Sequence, residues 1–144
     1  MLLFSAYLHL KQGAGTQPDI LEHRLLDTRA NCDIVSSPCP GYSDELSISL
    51  YLKDKPGALK PFPVEVSVTQ AANLQIQKVL ISFTMKGMSM GEQAHKLKLN
   101  TETGRWQGMV ILPICATGRR DWHARLELVS TGVIFEAGYN FVLQ

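Results

Sequence analysis

The sequence predicts an all-β protein, more narrowly an immunoglobulin-like antiparallel β-sandwich of roughly seven to eight strands. Apolar side chains recur at every second position in a series of short segments, and clusters of turn-forming residues separate these segments. Hardly any stretch shows the helical period of about 3.6 residues. Short strands with one polar face pack as two sheets, and a small closed barrel is the alternative that the pattern leaves open.

The alternation is clearest in three segments, ELSISLYL, VEVSV and WHARLELV. In the first of them Leu46, Ile48 and Leu50 fall on one face, and the polar residues fall on the other. Two further strands, IQKVLISFTM and RWQGMVILPIC, are more continuously apolar, and Gly108 in the second predicts a bulge or a close backbone approach. The early segment DILEHRLLDTRANC fits either a helical turn or an edge strand.

Composition excludes several classes of function. The 144 residues are 45 % hydrophobic and 19 % charged, which is typical of a globular chain. The formal net charge is +1, and there is no basic stripe with interleaved aromatic residues, so we expect no nucleic-acid partner. The chain has no phosphate-binding glycine loop, Cys-x-x-Cys motif or paired-carboxylate site, so we expect no enzyme and no small-molecule substrate. A thiol nucleophile built from Cys115, Asp121 and His123 is disfavoured because Cys115 lies in an apolar strand.

The N-terminus differs from the rest of the chain. Its first ten residues, MLLFSAYLHL, are apolar, and the polar segment KQGAGTQPD follows. Ten apolar residues fall short of the roughly twenty that span a bilayer core, and no basic region precedes them. The segment fits the end of a signal anchor or an ordinary apolar stretch, and the abrupt change to a linker favours the anchor. We expect a truncated anchor and linker over residues 1–29 and a β-sandwich domain over residues 30–144.

The cysteines bear on the compartment. Cys32 and Cys39 enclose the short polar segment DIVSSP, and a bond between them would close a small loop and imply an oxidising environment. With Cys115 as the third cysteine, three single-bond pairings exist, and the sequence does not distinguish them. The alternative is that all three thiols are reduced and that two are buried. The polar, proline-containing surroundings of Cys39 favour a disulfide.

A methionine-rich segment, FTMKGMSMGEQAH, carries the candidate chemistry. Met88 and Met90 are two positions apart, so their side chains point the same way on an extended backbone, and Met85 precedes them by three positions. Thioether and imidazole groups are the ligands that copper(I) prefers, and His95 follows on the next strand. The sequence therefore predicts a metal site made of Met88, Met90, Met85 and His95. The alternative is that methionine fills the core at a strand end, but the Lys, Gly and Ser neighbours indicate an exposed segment.

Two motifs, FTMKGMSMG and GRWQGMVILPICATGRRDWHARLEL, together resemble small bacterial periplasmic proteins, the YtkA-like and FixH-like immunoglobulin-type domains. In that family a strand enters a Met/Gly turn, a later strand opens with an aromatic residue and ends in Leu-Pro, and a tryptophan opens the next strand. The matching residues here are Met88, Met90, Gly91, Trp106, Leu112, Pro113, Cys115 and Trp122. The resemblance covers roughly residues 30–130.

This resemblance implies a domain that faces the periplasm, anchored to the inner membrane by its N-terminus. It also implies copper handling during the maturation of a cytochrome oxidase, with a membrane protein or a copper-enzyme assembly factor as partner. We therefore expect a copper(I)-binding accessory protein that is not an enzyme. The alternative expectation is a metal-free protein-interaction module of the cell envelope, in which the Met/Gly turn is an adaptable apolar contact.

Overall fold

A computed structural model describes residues 21–86, 93–115 and 118–143. This part of the chain is all-β and contains no helix, so it also contains no helix that could cross a membrane. The strands are β1 (Glu22–Leu25), β2 (Asp27–Thr28), β3 (Cys39–Tyr42), β4 (Leu46–Leu52), β5 (Phe62–Gln70), β6 (Ile76–Thr84), β7 (Gln93–Asn100), β8 (Arg105–Val110), β9 (Asp121–Ser130) and β10 (Val133–Val142).

The ten strands form one mixed sheet in the order β1-β10-β9-β6-β7-β8-β5-β4-β3-β2. All neighbours are antiparallel except β1 and β10, which are parallel. The first half of β7 pairs with β6, whereas Lys98 to Asn100 pair with β8. Strand β2, the last in this order, lies against β10, the second. The sheet is therefore strongly curled and nearly barrel-shaped.

The core lies inside this curled sheet, and alternate residues of each long strand point into it. Strand β9 shows the pattern most cleanly, because Trp122, Ala124, Leu126 and Leu128 are buried while the residues between them are more exposed. The ring of Phe62 on β5 meets Phe83 on β6 edge-on, with centroids 6.4 Å apart, so side chains from both halves of the sheet share one core.

The structure bears on several expectations from the sequence. The described residues contain ten strands, so a sandwich of seven to eight strands is not confirmed. The early segment forms strands β1 and β2 at the two edges of the sheet, which selects the edge-strand alternative, and both strands precede residue 30. Alternation along β7 predicts that Leu99 points inward, but Leu99 is exposed. The reason is that this part of β7 pairs with β8 and no longer with β6. Gly108 does make a close approach, since a Cβ there would lie 2.8 Å from Leu97 Cδ2.

One end of the curled sheet gathers most of the long connections, and we call it the loop end. It comprises residues 29–38, 53–61, 111–115 and 118–120, together with Lys86 and Val142. Backbone hydrogen bonds join these connections to one another and to strand ends, from Leu52 to Ile34, from Leu59 to Leu112 and from Leu143 to Arg120. The connection between β6 and β7, which carries the methionines, begins at this end.

Candidate functional site

The predicted metal ligands flank the connection between β6 and β7. Met88 and Met90 lie outside the described residues. Met85 follows the last residue of β6 and is only 6 % exposed, so the expectation of an exposed segment is wrong for this residue. The alternation of β6 explains its burial, because Ile81 and Phe83 point inward and Met85 continues the same row.

His95 is partly buried on the first half of β7. It pairs with Ile81 across the ladder, and directly paired residues project from the same face, so its imidazole lies on the inward side. The ring meets Phe83 edge-on with centroids 6.0 Å apart. Met85 and His95 therefore belong to the inward face of adjacent strands, on either side of the connection that carries Met88 and Met90.

The Nε2 atom of His95 is buried and has no hydrogen-bond partner among the described residues. Buried polar atoms are nearly always hydrogen-bonded, so an unpartnered ring nitrogen suggests a partner that is a ligand. Burial also lowers the pKa of this imidazole, because desolvation disfavours its charged form. The ring therefore stays neutral near pH 7, which is the form that binds a metal ion.

Within the described residues, no three His, Cys, Asp or Glu side chains lie close enough together to hold a metal ion. A site at His95 would therefore take its remaining ligands from thioether sulfur. The chain has suitable thioether ligands nearby, since three methionines lie within or beside the connection between β6 and β7.

The structure resolves the cysteine pairings that the sequence left open. Cys32 and Cys39 form a disulfide with their Cα atoms 5.7 Å apart, which confirms the expectation of a disulfide and selects one of its three possible pairings. The bond ties the connection between β2 and β3 to the first residue of β3. Cys115 is buried after β8 and takes no part in this bond.

A second group of polar residues, which the sequence interpretation did not single out as a site, lines a cleft of about 560 Å³ at the loop end. Its best-positioned member is His123 on β9, whose Nδ1 lies 2.8 Å from Asn140 Oδ1 on β10. Because a carboxamide oxygen only accepts hydrogen bonds, Nδ1 is the donor in this contact. The ring lies over Gly138, where a Cβ would come 2.9 Å from the imidazole Cε1.

The charges around this cleft come from Asp33, Lys86 and Asp121. Arg119 pairs with Asp121, with 3.0 Å between its Nε and Oδ1, and this lowers the pKa of the Asp121 carboxyl. Arg119 also donates a hydrogen bond of 2.8 Å to the backbone oxygen of Lys86, which fastens the start of the methionine connection to the β9 side of the cleft. The indole Nε1 of Trp122, in the cleft wall, is buried without a hydrogen-bond partner among the described residues.

His95 and His123 do not converge. His123 pairs with Thr84 on the outward face of the sheet, whereas His95 pairs with Ile81 on the inward face. The cleft at His123 and the predicted metal site at His95 therefore use opposite faces of β6. Among the described residues, Arg119 beside the His123 cleft donates a hydrogen bond to the backbone oxygen of Lys86, the residue after Met85.

Comparison with protein-family models, with curated proteins and with solved structures finds no match.

Proposed function

We propose that the protein is a periplasmic copper(I)-binding accessory protein that supports the assembly of a copper-containing oxidase. The observation that carries the proposal is the buried, unpartnered Nε2 of His95 beside the methionine connection. Met88 and Met90 would be the principal ligands, with Met85 and His95 in support. Copper(I) is a soft ion that binds thioethers and imidazole in preference to hard oxygen ligands.

The protonation chemistry of this ligand set decides how copper affinity would depend on pH. Thioethers carry no proton to lose, and His95 is neutral near pH 7 because its pKa is lowered. Copper affinity should therefore change little with pH above the range where imidazole titrates. The role in oxidase assembly, and the membrane protein or assembly factor that would receive the ion, rest on the resemblance of the methionine and tryptophan motifs.

We also infer that the curled sheet is an immunoglobulin-like sandwich. The strand order supports this, because β7 passes from a half containing β10, β9 and β6 to a half containing β8, β5 and β4. The contact of Phe62 with Phe83 joins the inner faces of these halves. The two halves correspond to the two packed sheets of that architecture.

The disulfide supports the proposed location. Disulfides persist in the periplasm and other oxidising compartments and are rare in the cytosol. The Cys32–Cys39 bond therefore favours a domain that faces the periplasm, and the apolar residues 1–10 would be the part that anchors it to the inner membrane.

The test is a titration of the full chain with copper(I) against a competing chelator. We expect the Met88→Leu/Met90→Leu variant to lose most of the binding, because leucine matches methionine in size but has no sulfur. His95→Phe should weaken binding by a smaller factor. The matched control is Met109→Leu, because Met109 is exposed on β8. This variant should bind copper(I) like the unaltered protein. Equal affinity in the unaltered protein and the Met88/Met90 variant would refute the proposal.

The alternative function is a metal-free interaction module of the cell envelope that contacts a membrane protein through the Met/Gly turn. Exposed Ile111 and Ile114, close to where that connection begins, favour an apolar contact at this end of the molecule. The same variants separate the two functions. A contact surface should tolerate the exchange of methionine for leucine, whereas a thioether site should not.

A further inference from the structure

A basic apolar surface at the loop end points to a second binding partner. We infer that this surface docks the protein onto an anionic phospholipid bilayer, independently of any copper binding. We call it the docking surface and define it by four exposed apolar residues and three cations. The apolar residues are Leu59 (61 % exposed), Met109 (62 %), Ile111 (52 %) and Ile114 (60 %), and the cations are Lys55, Lys60 and Arg120.

These apolar side chains lie on neighbouring segments rather than scattered over the molecule. The backbone N–H of Leu59 donates a hydrogen bond of 2.8 Å to the oxygen of Leu112, so Leu59 lies against the chain that carries Ile111 and Ile114. Met109 and Ile111 are two positions apart, with buried Val110 between them. Single exposed apolar residues are ordinary on protein surfaces, but a contiguous group of this kind marks an interaction site.

The backbone at Leu59 adds an independent observation. Leu59 adopts a φ of 61°, in the left-handed region that bulky residues avoid. Asp54 and Lys55, in the same connection, have φ values of 62° and 53°. Such conformations are strained for a leucine, and strained backbone clusters at functional sites. Here the strained connection presents a large apolar side chain to solvent, as a docking surface requires.

Charge identifies the class of partner. Outside the Lys53–Glu65 ion pair, the described residues of the loop end carry six cations, Arg29, Lys55, Lys60, Lys86, Arg119 and Arg120. Its anions are Asp33 and Asp54, and Asp121, the adjoining first residue of β9, is counted with them. This excess of three positive charges exceeds the net charge of +1 on the whole chain, and Glu92 in the adjoining connection reduces it only by one. Apolar side chains ringed by lysine and arginine are typical of surfaces that insert into the headgroup layer of anionic membranes.

A small cleft beside Ile114 offers space for a lipid headgroup. It has a volume of about 330 Å³ and is lined by Gly57, Ala58, Lys60, Pro113, Ile114, Cys115, Gly118, Arg119, Arg120 and Leu143. Within the described part of the chain, Lys60 and Arg120 form no ion pair, so their charges remain available for a phosphate. Docking in this way would turn the whole loop end, including the start of the methionine connection, toward the bilayer.

The experiment is co-sedimentation of the full chain with vesicles of phosphatidylglycerol and phosphatidylcholine in equal parts, and with vesicles of phosphatidylcholine alone. We expect binding to the anionic vesicles only, and a loss of about tenfold or more in the partition coefficient when salt is raised. Ile111→Ser/Ile114→Ser and, separately, Lys60→Glu/Arg120→Glu should each lower partitioning by about tenfold or more.

Matched controls lie outside the loop end and share no cleft with the docking surface. Leu25→Ser/Tyr42→Ser removes two exposed aliphatic or aromatic side chains, and Lys78→Glu reverses an exposed cation near the start of β6. Both controls should sediment like the unaltered protein, and circular dichroism should show all variants folded. Equal partitioning of the loop-end variants and the unaltered chain would overturn the inference, because residues 1–10 would then carry the binding. A failure of the unaltered chain to bind anionic vesicles would also overturn it and would favour a protein partner.

Discussion

The hydroxyl of Tyr139 on β10 donates a hydrogen bond of 3.1 Å to the backbone oxygen of Pro40 on β3. The two residues are 99 positions apart and belong to strands near opposite ends of the sheet order. The bond therefore joins the two margins of the curled sheet, between which the described strands form no backbone ladder. Burial raises the pKa of Tyr139 to about 12, so the hydroxyl keeps its proton at any physiological pH.

Removal of this hydroxyl should loosen the closure. We expect Tyr139→Phe to lower the free energy of unfolding by roughly 1–2 kcal/mol, since it leaves the Pro40 carbonyl without this donor in a partly buried contact. Gly41→Ala should act on the same contact, because a Cβ at Gly41 would lie 2.9 Å from the Tyr139 hydroxyl. Urea denaturation measures both, and exposed Tyr42→Phe is the control that should change nothing. Equal stability of Tyr139→Phe and the control would show that the bond is unimportant.

The disulfide should stabilise the loop end. Closing the short loop between Cys32 and Cys39 is expected to contribute about 2–3 kcal/mol, mainly by restricting the unfolded chain. Reduction with dithiothreitol should therefore lower the urea midpoint of the native protein. In Cys32→Ala/Cys39→Ala the midpoint should be low from the start and insensitive to the reductant. A midpoint in the native protein that reduction leaves unchanged would contradict this expectation.

The alternation in the sequence predicted much of the core but not how its strands pair. Leu46, Ile48 and Leu50 are buried as their spacing indicates, because a half-buried strand fixes which side chains point inward. The same alternation accounts for the burial of Met85, because Ile81, Phe83 and Met85 are buried at every second position. The lysine and glycine neighbours of Met85 indicate exposure instead, so alternation predicts its burial better than local composition does.

The register between paired strands could not be predicted from the sequence. His123 and Asn140 are 17 positions apart, and only the pairing of β9 with β10 brings them to 2.8 Å. A shift of one residue in that pairing would place Asn140 beside a different residue. The change of partner within β7 is equally invisible, because Leu97 and Leu99 look alike in the alternation but only Leu97 is buried. Long-range pairing depends on the whole core rather than on local pattern.

Gly138 should be required for the position of His123. A methyl group there would come within 2.9 Å of Cε1 and 3.1 Å of Nε2, so Gly138→Ala should push the ring away and break its bond to Asn140. We expect a loss of about 1 kcal/mol in the free energy of unfolding and a change in the ¹⁵N shifts of the imidazole.

A double-mutant cycle separates this contact from other effects of the glycine. In a His123→Ala background, Gly138→Ala should be neutral or slightly stabilising, because alanine restricts the unfolded chain more than glycine does. The same cost in both backgrounds would show that the ring and the glycine are not coupled.

The buried imidazole of His95 should make the stability of the metal-free protein depend on pH. Its folded pKa is lowered from 6.5, so the unfolded chain binds a proton more readily than the folded protein does. The free energy of unfolding should therefore fall as the pH decreases from about 6.5 toward the folded pKa, by at most about 1.4 kcal/mol per pH unit.

The variant His95→Phe should remove this dependence, while its phenyl ring still packs against Phe83. The variant His123→Ala, at an exposed position, should retain the dependence. Urea denaturation at a series of pH values with a chelator present measures the slope. An equal slope in His95→Phe and the unaltered protein would mean that His95 is not the buried neutral group, and it would weaken the case for copper at this position.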